Sequence, residues 1–337
     1  MASLKDIAQA SGVSIRTVSR VMNDSPMVSD AVRTKVLALA NKMGYEPNIC
    51  ALSLRMGKTF EIVAVIPARM DDLHVVELGA FEYEMRSANY PVNIVVGPHA
   101  AKSADSHQQV MSWILKRSPA GVAFFPQCHM PIQRSIALIE AKDVPCVALD
   151  SSDAHVDSVD MDRPKGVYQA VKYLAEKGLK RIVYLGYLDQ PLGHVSGRTR
   201  LLGYDRAMEE LKLEHRIIAV PLSHSEYEGG RKAALRCLSM KPQPEAVQVY
   251  SDKMAAGVLS AFHDNGVAVP GEIAVVGFGD IEMAALLWPR LTTVAQPSKE
   301  LARQAARLLL KRVKAASVSL EKENVILPST LVVRESA

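Results

Sequence analysis

Between residues 60 and 276, short apolar segments alternate with stretches long enough to form helices. Strands are predicted at 62–66, 92–96, 122–125, 144–149, 181–185, 217–220, 246–250 and 273–276. Helices are predicted at 75–88, 103–117, 131–142, 166–177, 196–213, 226–240 and 253–265. Strands that are apolar on both faces and alternate with helices indicate parallel sheets covered on both sides. The two series of strands therefore predict an α/β protein with two lobes of similar construction.

The end of the chain connects these lobes. The pattern predicts a helix at 298–314 that returns to the first lobe, and strands at 325–327 and 331–333 that close the second. The carboxyl ends of parallel strands form ligand crevices in α/β lobes. A cleft between the two lobes is therefore the expected small-molecule site.

The first 46 residues have a different, all-helical pattern. Residues 3–10 predict a short helix, Ser11-Gly12-Val13 a turn, and 14–23 a second helix capped by Ser14. A third helix is predicted at 29–43, where Gly44 ends it. The expected core consists of Ile7, Ala8, Val13, Val18, Val21, Val32, Val36, Leu39 and Ala40. Two short helices joined by a tight turn form a helix-turn-helix, whose second helix enters the DNA major groove.

Charge supports this interpretation of the N-terminal module. Residues 1–58 contain eight basic and four acidic side chains, so they account for the whole net charge of +4. Cations concentrated in one small segment suit a polyanionic partner, because bound phosphates release counterions. The alternative for the charge alone is a solvated helical surface.

Composition limits the class of protein. Hydrophobic residues make up 48% and charged residues 23% of the chain, as in ordinary globular proteins, and no stretch reaches the length of a membrane span. Neither a secretory signal nor paired cysteines occur, so we expect a cytoplasmic protein with reduced thiols. Residues 277–282 lack the third glycine of a dinucleotide loop, and no P-loop lysine or metal-binding histidine pattern occurs. We therefore expect no enzyme, no cofactor and no metal site.

Several motifs identify a resemblance. Residues 5–8 are KDIA, 12–14 are GVS, 17–23 are TVSRVMN and 44–48 are GYEPN. They resemble the headpiece of the LacI/GalR family of bacterial transcription repressors, and the similarity continues to the C-terminus. The resemblance implies a DNA-binding headpiece (1–46), a hinge helix and linker (47–59), and a periplasmic-binding-protein-like core. The core subdomains would be 60–160 plus 293–322 and 161–292 plus 323–337.

The resemblance also implies partners and DNA contacts. The protein would be a homodimer that binds a pseudo-palindromic double-stranded DNA operator, with no membrane association. Ile15 and Arg16 would read base edges, with Arg20 reading bases or phosphates; phosphate contact alone is the alternative for Arg16. Leu54 would wedge into the minor groove beside its dimer mate, although Leu52 stands where the family commonly has arginine. The expected DNA-binding residues are Ser14, Ile15, Arg16, Thr17, Ser19, Arg20, Asn23, Ser29, Asn48, Ala51, Leu54 and Arg55.

A small-molecule effector would bind between the lobes. The resemblance places Arg200 on the effector, Ser251 facing it, Asp252 as a helix cap, and Tyr227 or His224 as a stacking wall. The expected effector-binding residues are Arg69, Asp71, Leu73, Asp150, Arg198, Arg200, Tyr227, Ser251 and Asp280.

Two departures from the family pattern bear on the effector's charge. Gly279 stands where an acidic residue is usual before Asp280, and Arg163 replaces a common asparagine. We expect an anionic effector, such as a sugar acid or sugar phosphate, because a buried arginine without a carboxylate is costly. A neutral sugar or nucleobase with a bridging water is the alternative.

The predicted function is thus a sequence-specific repressor whose operator affinity depends on a metabolite in the cleft. The competing hypothesis is a stand-alone ligand-binding or enzymatic α/β protein with an incidental basic N-terminus. Residues 17–20 and Leu54 distinguish the two, because only the repressor needs them.

Overall fold

The computed structural model describes residues 2–22, 25, 27–45, 59–68, 70–97, 104–125, 137–139, 141–151, 155–188, 195–315 and 321–337, except for the side chains of 104–107 and 195–197. The chain divides into two compact units, Met1–Phe60 and Glu61–Ala337. Among the helices of the described residues, none is long and apolar enough to cross a membrane.

The N-terminal unit consists of three short helices, α1 (Leu4–Ser11), α2 (Ile15–Met22) and α3 (Asp30–Lys42). Ser3 caps α1 together with Asp6, and Gly12 ends it with a φ of 71°, a left-handed conformation that favours glycine. Ser14 caps α2, because its Oγ accepts a hydrogen bond from Thr17 N at 3.1 Å. The predicted helices and turn are confirmed.

Six side chains form the core of this unit: Ile7, Ala8, Val18, Val21, Val36 and Ala40. Val13 and Val32 are partly buried against it, as predicted. Leu39 is only half-buried. Helical spacing places Leu39 next to the inward-facing Val36 and Ala40, but at the edge of that face.

The first lobe of the larger unit is built on a parallel six-stranded sheet. Its strands are β1 (Ile62–Ile66), β2 (Val92–Val96), β3 (Gly121–Phe124), β4 (Cys146–Leu149), β5 (Asp157–Met161) and β11 (Asn324–Leu327), in the order β11-β5-β4-β3-β1-β2. The helices of this lobe are α4 (Asp72–Ser87), α5 (Ala104–Lys116) and α10 (Ser298–Lys314). Helix α10 packs against α4, β3, β4 and β5, which confirms its predicted return.

The second lobe has the same construction. Its strands are β6 (Ile182–Gly186), β7 (Arg216–Ala219), β8 (Ala246–Val249), β9 (Ala274–Gly279), β10 (Thr292–Ala295) and β12 (Thr330–Val332), in the order β12-β10-β9-β8-β6-β7. Only β12 is antiparallel within the described sheet. Its helices are α6 (Arg163–Glu176), α7 (Val195–Glu210), α8 (Glu226–Ser239), α9 (Asp252–Asp264) and a 3-10 helix (Glu282–Ala285). Most of the helix predicted at 131–142 lies outside the described residues.

Three features of strand placement correct the sequence-based prediction. Strand β5 was missed because three residues of its sequence, DSVDM, are polar, so it lacks the continuous apolar run of the other strands. Strand β11 was predicted to close the second lobe, but it pairs with β5 in the first. Strand β10, most of which was assigned to the first subdomain, pairs with β9 in the second. The strand residues Thr292–Ala295 therefore belong to the second sheet, and Asn324–Leu327 belong to the first.

A buried ion pair explains the position of β11. Arg312, near the end of α10, contacts both carboxylate oxygens of Asp157 on β5 at 2.6 Å. Asp157 Oδ1 also accepts a hydrogen bond from Glu323 N at 2.8 Å, immediately before β11. These contacts hold the chain at the first sheet after α10, so that it crosses to the second lobe only between Leu327 and Thr330.

Candidate functional site

The start of helix α2 presents an exposed face in the N-terminal unit. Ile15 is 49% exposed although it is a large apolar residue, and Arg16 is exposed beside it. Thr17, Ser19 and Arg20 are half-buried. An exposed isoleucine beside an exposed arginine suits a surface that contacts another molecule, because the core of this unit is formed without them.

Two serines predicted at the DNA surface occupy cap positions. Ser14 Oγ lies 2.9 Å from Thr17 Oγ1, so these hydroxyls are engaged with each other at the start of α2. Ser29 precedes α3, but its side chain makes no cap hydrogen bond. The other predicted DNA-binding residues, Asn23, Asn48, Ala51, Leu54 and Arg55, lie outside the described residues, as does Arg69 of the predicted effector set.

In the larger unit, the strand orders locate a cleft between the two lobes. The order of each sheet reverses once, between β1 and β3 and between β6 and β8, and crevices form at the carboxyl ends beside such reversals. These two edges lie opposite each other, since Asp72 after β1 forms an ion pair of 3.0 Å with Lys253 after β8. Leu73 also reaches across, because a β-carbon added at Gly279 would lie 3.6 Å from its Cδ1.

Arg200 on helix α7 is the most unusual side chain at this edge. Its guanidinium lies between two aromatic rings, 4.3 Å from the centroid of Tyr250 and 4.2 Å from that of Phe278. The Nε and Nη1 atoms are buried and have no hydrogen-bond partner among the described residues. Cation–π contacts favour the charge, but buried donors without acceptors are costly. These two donors of Arg200 are therefore available to an acceptor outside the described residues.

Arg163 provides a second buried cation beside the first. It begins helix α6, is 3% exposed, and contacts Asp150 after β4 and Asp160 on β5, the latter at 2.5 Å. Burial and the neighbouring charge of Arg200 lower the pKa of Arg163 to about 9. The guanidinium therefore remains charged at neutral pH. Asp150, a predicted effector residue, is held by Arg163.

A buried carboxyl group lies where the chain crosses between the lobes. Glu77 on α4 is fully buried, and its Oε1 accepts hydrogen bonds from Gln296 Nε2 at 3.1 Å and Ser298 Oγ at 3.0 Å. Its Oε2 has no partner in the described part of the chain. Burial raises the pKa of Glu77 to about 7. The described residues contain no cluster of His, Cys, Asp or Glu that could hold a metal ion.

Comparisons with known proteins agree with both units. Residues 3–48 match the model of the bacterial regulatory proteins of the lacI family, and 171–337 match the periplasmic binding protein-like domain. The chain is 30% identical over its whole length to the whole ribose operon repressor of Escherichia coli K12. It is 31% identical to the HTH-type transcriptional repressor PurR of Proteus mirabilis, over 93% of this chain and 91% of the relative.

This chain belongs to the lacI family. A solved structure of the Lac repressor dimer bound to operator and the anti-inducer ONPF superposes with a TM-score of 0.79 at 26% identity, covering 99% of this chain and 98% of the repressor. The lacI-family relatives are transcriptional regulators, and this protein is accordingly a regulator and not an enzyme.

Several predicted effector residues of this lacI-family protein contact other protein groups. Asp280 Oδ1 accepts a hydrogen bond from Arg334 at 2.6 Å. Tyr227 donates its hydroxyl hydrogen to Ser260 at 3.0 Å, along the contact between α8 and α9. Arg198 is exposed and lies two residues before Arg200, on a different face of α7.

Helix α9 is capped differently from the prediction. Ser251, expected to face the ligand, accepts a hydrogen bond from Met254 N at 3.1 Å and donates one to Glu226 at 2.5 Å. Asp252 was predicted to be the cap, which was wrong. It is buried, accepts hydrogen bonds from Thr293 Oγ1 at 2.5 Å and Ile281 N at 2.9 Å, and joins α9 to the neighbouring strands.

Asp71 also has a structural role. It caps α4 by accepting a hydrogen bond from His74 N at 3.0 Å. Burial raises the pKa of Asp71, but the hydrogen bonds and charge of His74 outweigh this effect and lower it to about 2.

Sequence reasoning missed the residues that surround Arg200. The rings of Tyr250 and Phe278 lie against the guanidinium. The hydroxyl of Tyr184 is buried, has no described hydrogen-bond partner, and lies close enough to interact with the charge of Arg200. The available signal was weak: Tyr250 is an aromatic residue directly after an apolar strand, and Phe278 lies within one. Only the pairing order shows that these strand ends are neighbours.

Proposed function

We propose that this protein is a repressor that binds a pseudo-palindromic operator as a homodimer. The observation that carries the proposal is the exposed start of α2, where Ile15 and Arg16 project from a separate small unit whose core is complete. An arginine there can donate two hydrogen bonds to guanine, and isoleucine can contact a thymine methyl group. Such a protein acts beside the chromosome, in the bacterial cytoplasm.

The two units have different functions. Residues 1–46 form the DNA-binding headpiece, 47–59 the hinge, and the larger unit the regulatory core. The core has two arrangements of its lobes, which differ in operator affinity. A metabolite in the cleft, a sugar or sugar derivative, binds one arrangement more tightly than the other. The ratio of these two affinities limits how much the metabolite changes operator affinity. Arg200 supports this proposal, because its buried donors have no acceptor in the described protein.

Replacing Arg16 with alanine tests the DNA-binding surface. The operator is first selected from a pool of random duplexes. We expect Arg16→Ala to relax the preference for one base pair in each half-site by about 1–3 kcal/mol, because the bidentate contact is lost. Lys42→Ala, which removes one exposed charge at the end of α3, is the control and should weaken all duplexes equally. A uniform loss with Arg16→Ala would show that Arg16 contacts only phosphate.

Replacing Leu54 tests the hinge. An apolar wedge in the minor groove requires a central step that can kink, so only specific complexes benefit from it. We expect Leu54→Ala to weaken operator binding much more than binding to random DNA, as measured by fluorescence anisotropy. Equal losses on both duplexes would contradict the wedge.

A metabolite screen tests the regulatory core. A ligand that binds the folded core but not the unfolded chain raises the apparent melting temperature of the core. A compound that produces this shift should also change operator affinity in the intact protein, whereas one that stabilises without changing it would contradict regulation through the cleft.

A further inference from the structure

The environment of Arg200 limits the direction from which a ligand can reach it. The rings of Tyr250 and Phe278 both lie against the guanidinium, with centroids 4.3 and 4.2 Å from its carbon. The N–H donors lie in the plane of the guanidinium, and Nε and Nη1 are buried without described acceptors. A partner must therefore approach in the plane of the guanidinium with hydrogen-bond acceptors.

Five acidic groups at the same edge are already engaged. Each has a positively charged or hydrogen-bonding partner other than Arg200: Asp150 and Asp160 contact Arg163, Asp280 contacts Arg334, Asp252 contacts Thr293 and Ile281, and Asp71 contacts His74. Among the described residues, no ion pair involves Arg200. Arg163 lies close enough to Arg200 for their charges to interact, but it is itself paired with Asp150 and Asp160 and supplies no acceptor to Arg200. A neutral acceptor would satisfy the hydrogen bonds of Arg200 but leave its guanidinium without a directly paired anion.

We propose that the effector carries an anionic group, a carboxylate or a phosphate, that binds the edge of Arg200. This inference rests on the proposed function, in which the effector occupies the cleft. Tyr184 provides a second donor, since its buried hydroxyl has no described partner and burial raises its pKa, which keeps it protonated. Charge-assisted hydrogen bonds are roughly twice as strong as neutral ones, so this group dominates recognition.

Thermal unfolding of the intact protein tests the proposal. The probes are inorganic phosphate, acetate, glucuronate, glucose 6-phosphate and glucose, each compared with chloride at constant ionic strength. We expect one or more anions to raise the melting temperature and glucose to have no comparable effect. The carboxylate and phosphate probes then show which anion is preferred.

Two variants locate the bound anion. Arg200→Met should weaken its apparent affinity by roughly 10- to 100-fold, the effect of losing hydrogen bonds to a charged group. Arg206→Met is the matched control: Arg206 is on the same helix and stacks on Tyr168 at 5.2 Å, but it is exposed. It should retain the affinity of the wild type.

These measurements distinguish failure of the anionic-effector proposal from failure of the proposed repressor function. Equal affinity in all three proteins would mean that anions bind elsewhere, and stabilisation by glucose alone would mean that the effector is neutral. A wild type that none of the anions stabilises would also overturn the proposal, even if Arg200→Met fails to fold. Operator binding is measured on the same preparations, so specific DNA binding that survives these results leaves the repressor function intact.

Discussion

Glu77 makes the stability of the core depend on pH, and Glu77→Gln tests the reason. The side chain is fully buried on α4 and accepts hydrogen bonds from Gln296 and Ser298 through Oε1. Glutamine keeps an oxygen acceptor of the same shape but cannot ionise. The variant therefore removes the titration while preserving these contacts.

The magnitude follows from the difference between the folded and unfolded pKa values. Burial raises the pKa of Glu77 from 4.5 to about 7 in the folded protein. Because the folded value is higher, the protonated group stabilises the fold at low pH, and this contribution is lost as the pH rises through 7. At 1.36 kcal/mol per pKa unit the total is about 3 kcal/mol, and most of it falls between pH 5 and 8.

Urea unfolding at pH 5 and pH 8, followed by tryptophan fluorescence, measures this effect. Both tryptophans, Trp113 and Trp288, belong to the larger unit, so they report on the core that contains Glu77. We expect the free energy of unfolding of Glu77→Gln, relative to the wild type, to increase by about 2–3 kcal/mol from pH 5 to pH 8. Titration of groups that do not interact with Glu77 cancels in this difference. His74, whose pKa the charge of Glu77 helps to raise, contributes to the measured change.

Glu82→Gln is the matched control on the same helix. Glu82 is 38% exposed and pairs with Arg86, and such surface pairs contribute about 0–1 kcal/mol. Its difference from the wild type should change little between the two pH values. A pH-independent difference for Glu77→Gln as well would refute the argument that burial raises the pKa of Glu77.

Three further substitutions test ion pairing and packing in the larger unit. Arg163→Met leaves the carboxylates of Asp150 and Asp160, which are 15% and 13% exposed, without their cation. The free energy of unfolding should therefore fall by about 3–5 kcal/mol. A loss below about 1 kcal/mol in urea titrations would contradict the buried pair. Gly257→Ala should lower the melting temperature, because its β-carbon would collide with the backbone oxygen of Tyr227. Gly79→Ala, whose β-carbon has open space, should raise stability by up to about 1 kcal/mol, and thermal shifts of the same sign in both variants would argue against this distinction.

Local signals in the sequence determined the N-terminal unit and most of the α/β elements. Ser3 and Ser14 begin helices, Gly12 and Gly44 end them with left-handed backbone, and the apolar spacing selects the buried face. These effects act within a few residues, because caps and turns satisfy neighbouring backbone groups. The lacI-family motifs have the same local character, because each is a short run of consecutive residues.

Only the tertiary structure decided which strands are neighbours and which charges meet. Strand β11 joined the first sheet because Arg312 and Asp157 meet there, although they are far apart in sequence. The enclosure of Arg200 by Tyr250 and Phe278 likewise depends on strands from separate parts of the chain ending at one edge. Sequence patterns report burial and local conformation, whereas the energy of an ion pair or a stacked cation depends on distances that the packing of distant segments sets.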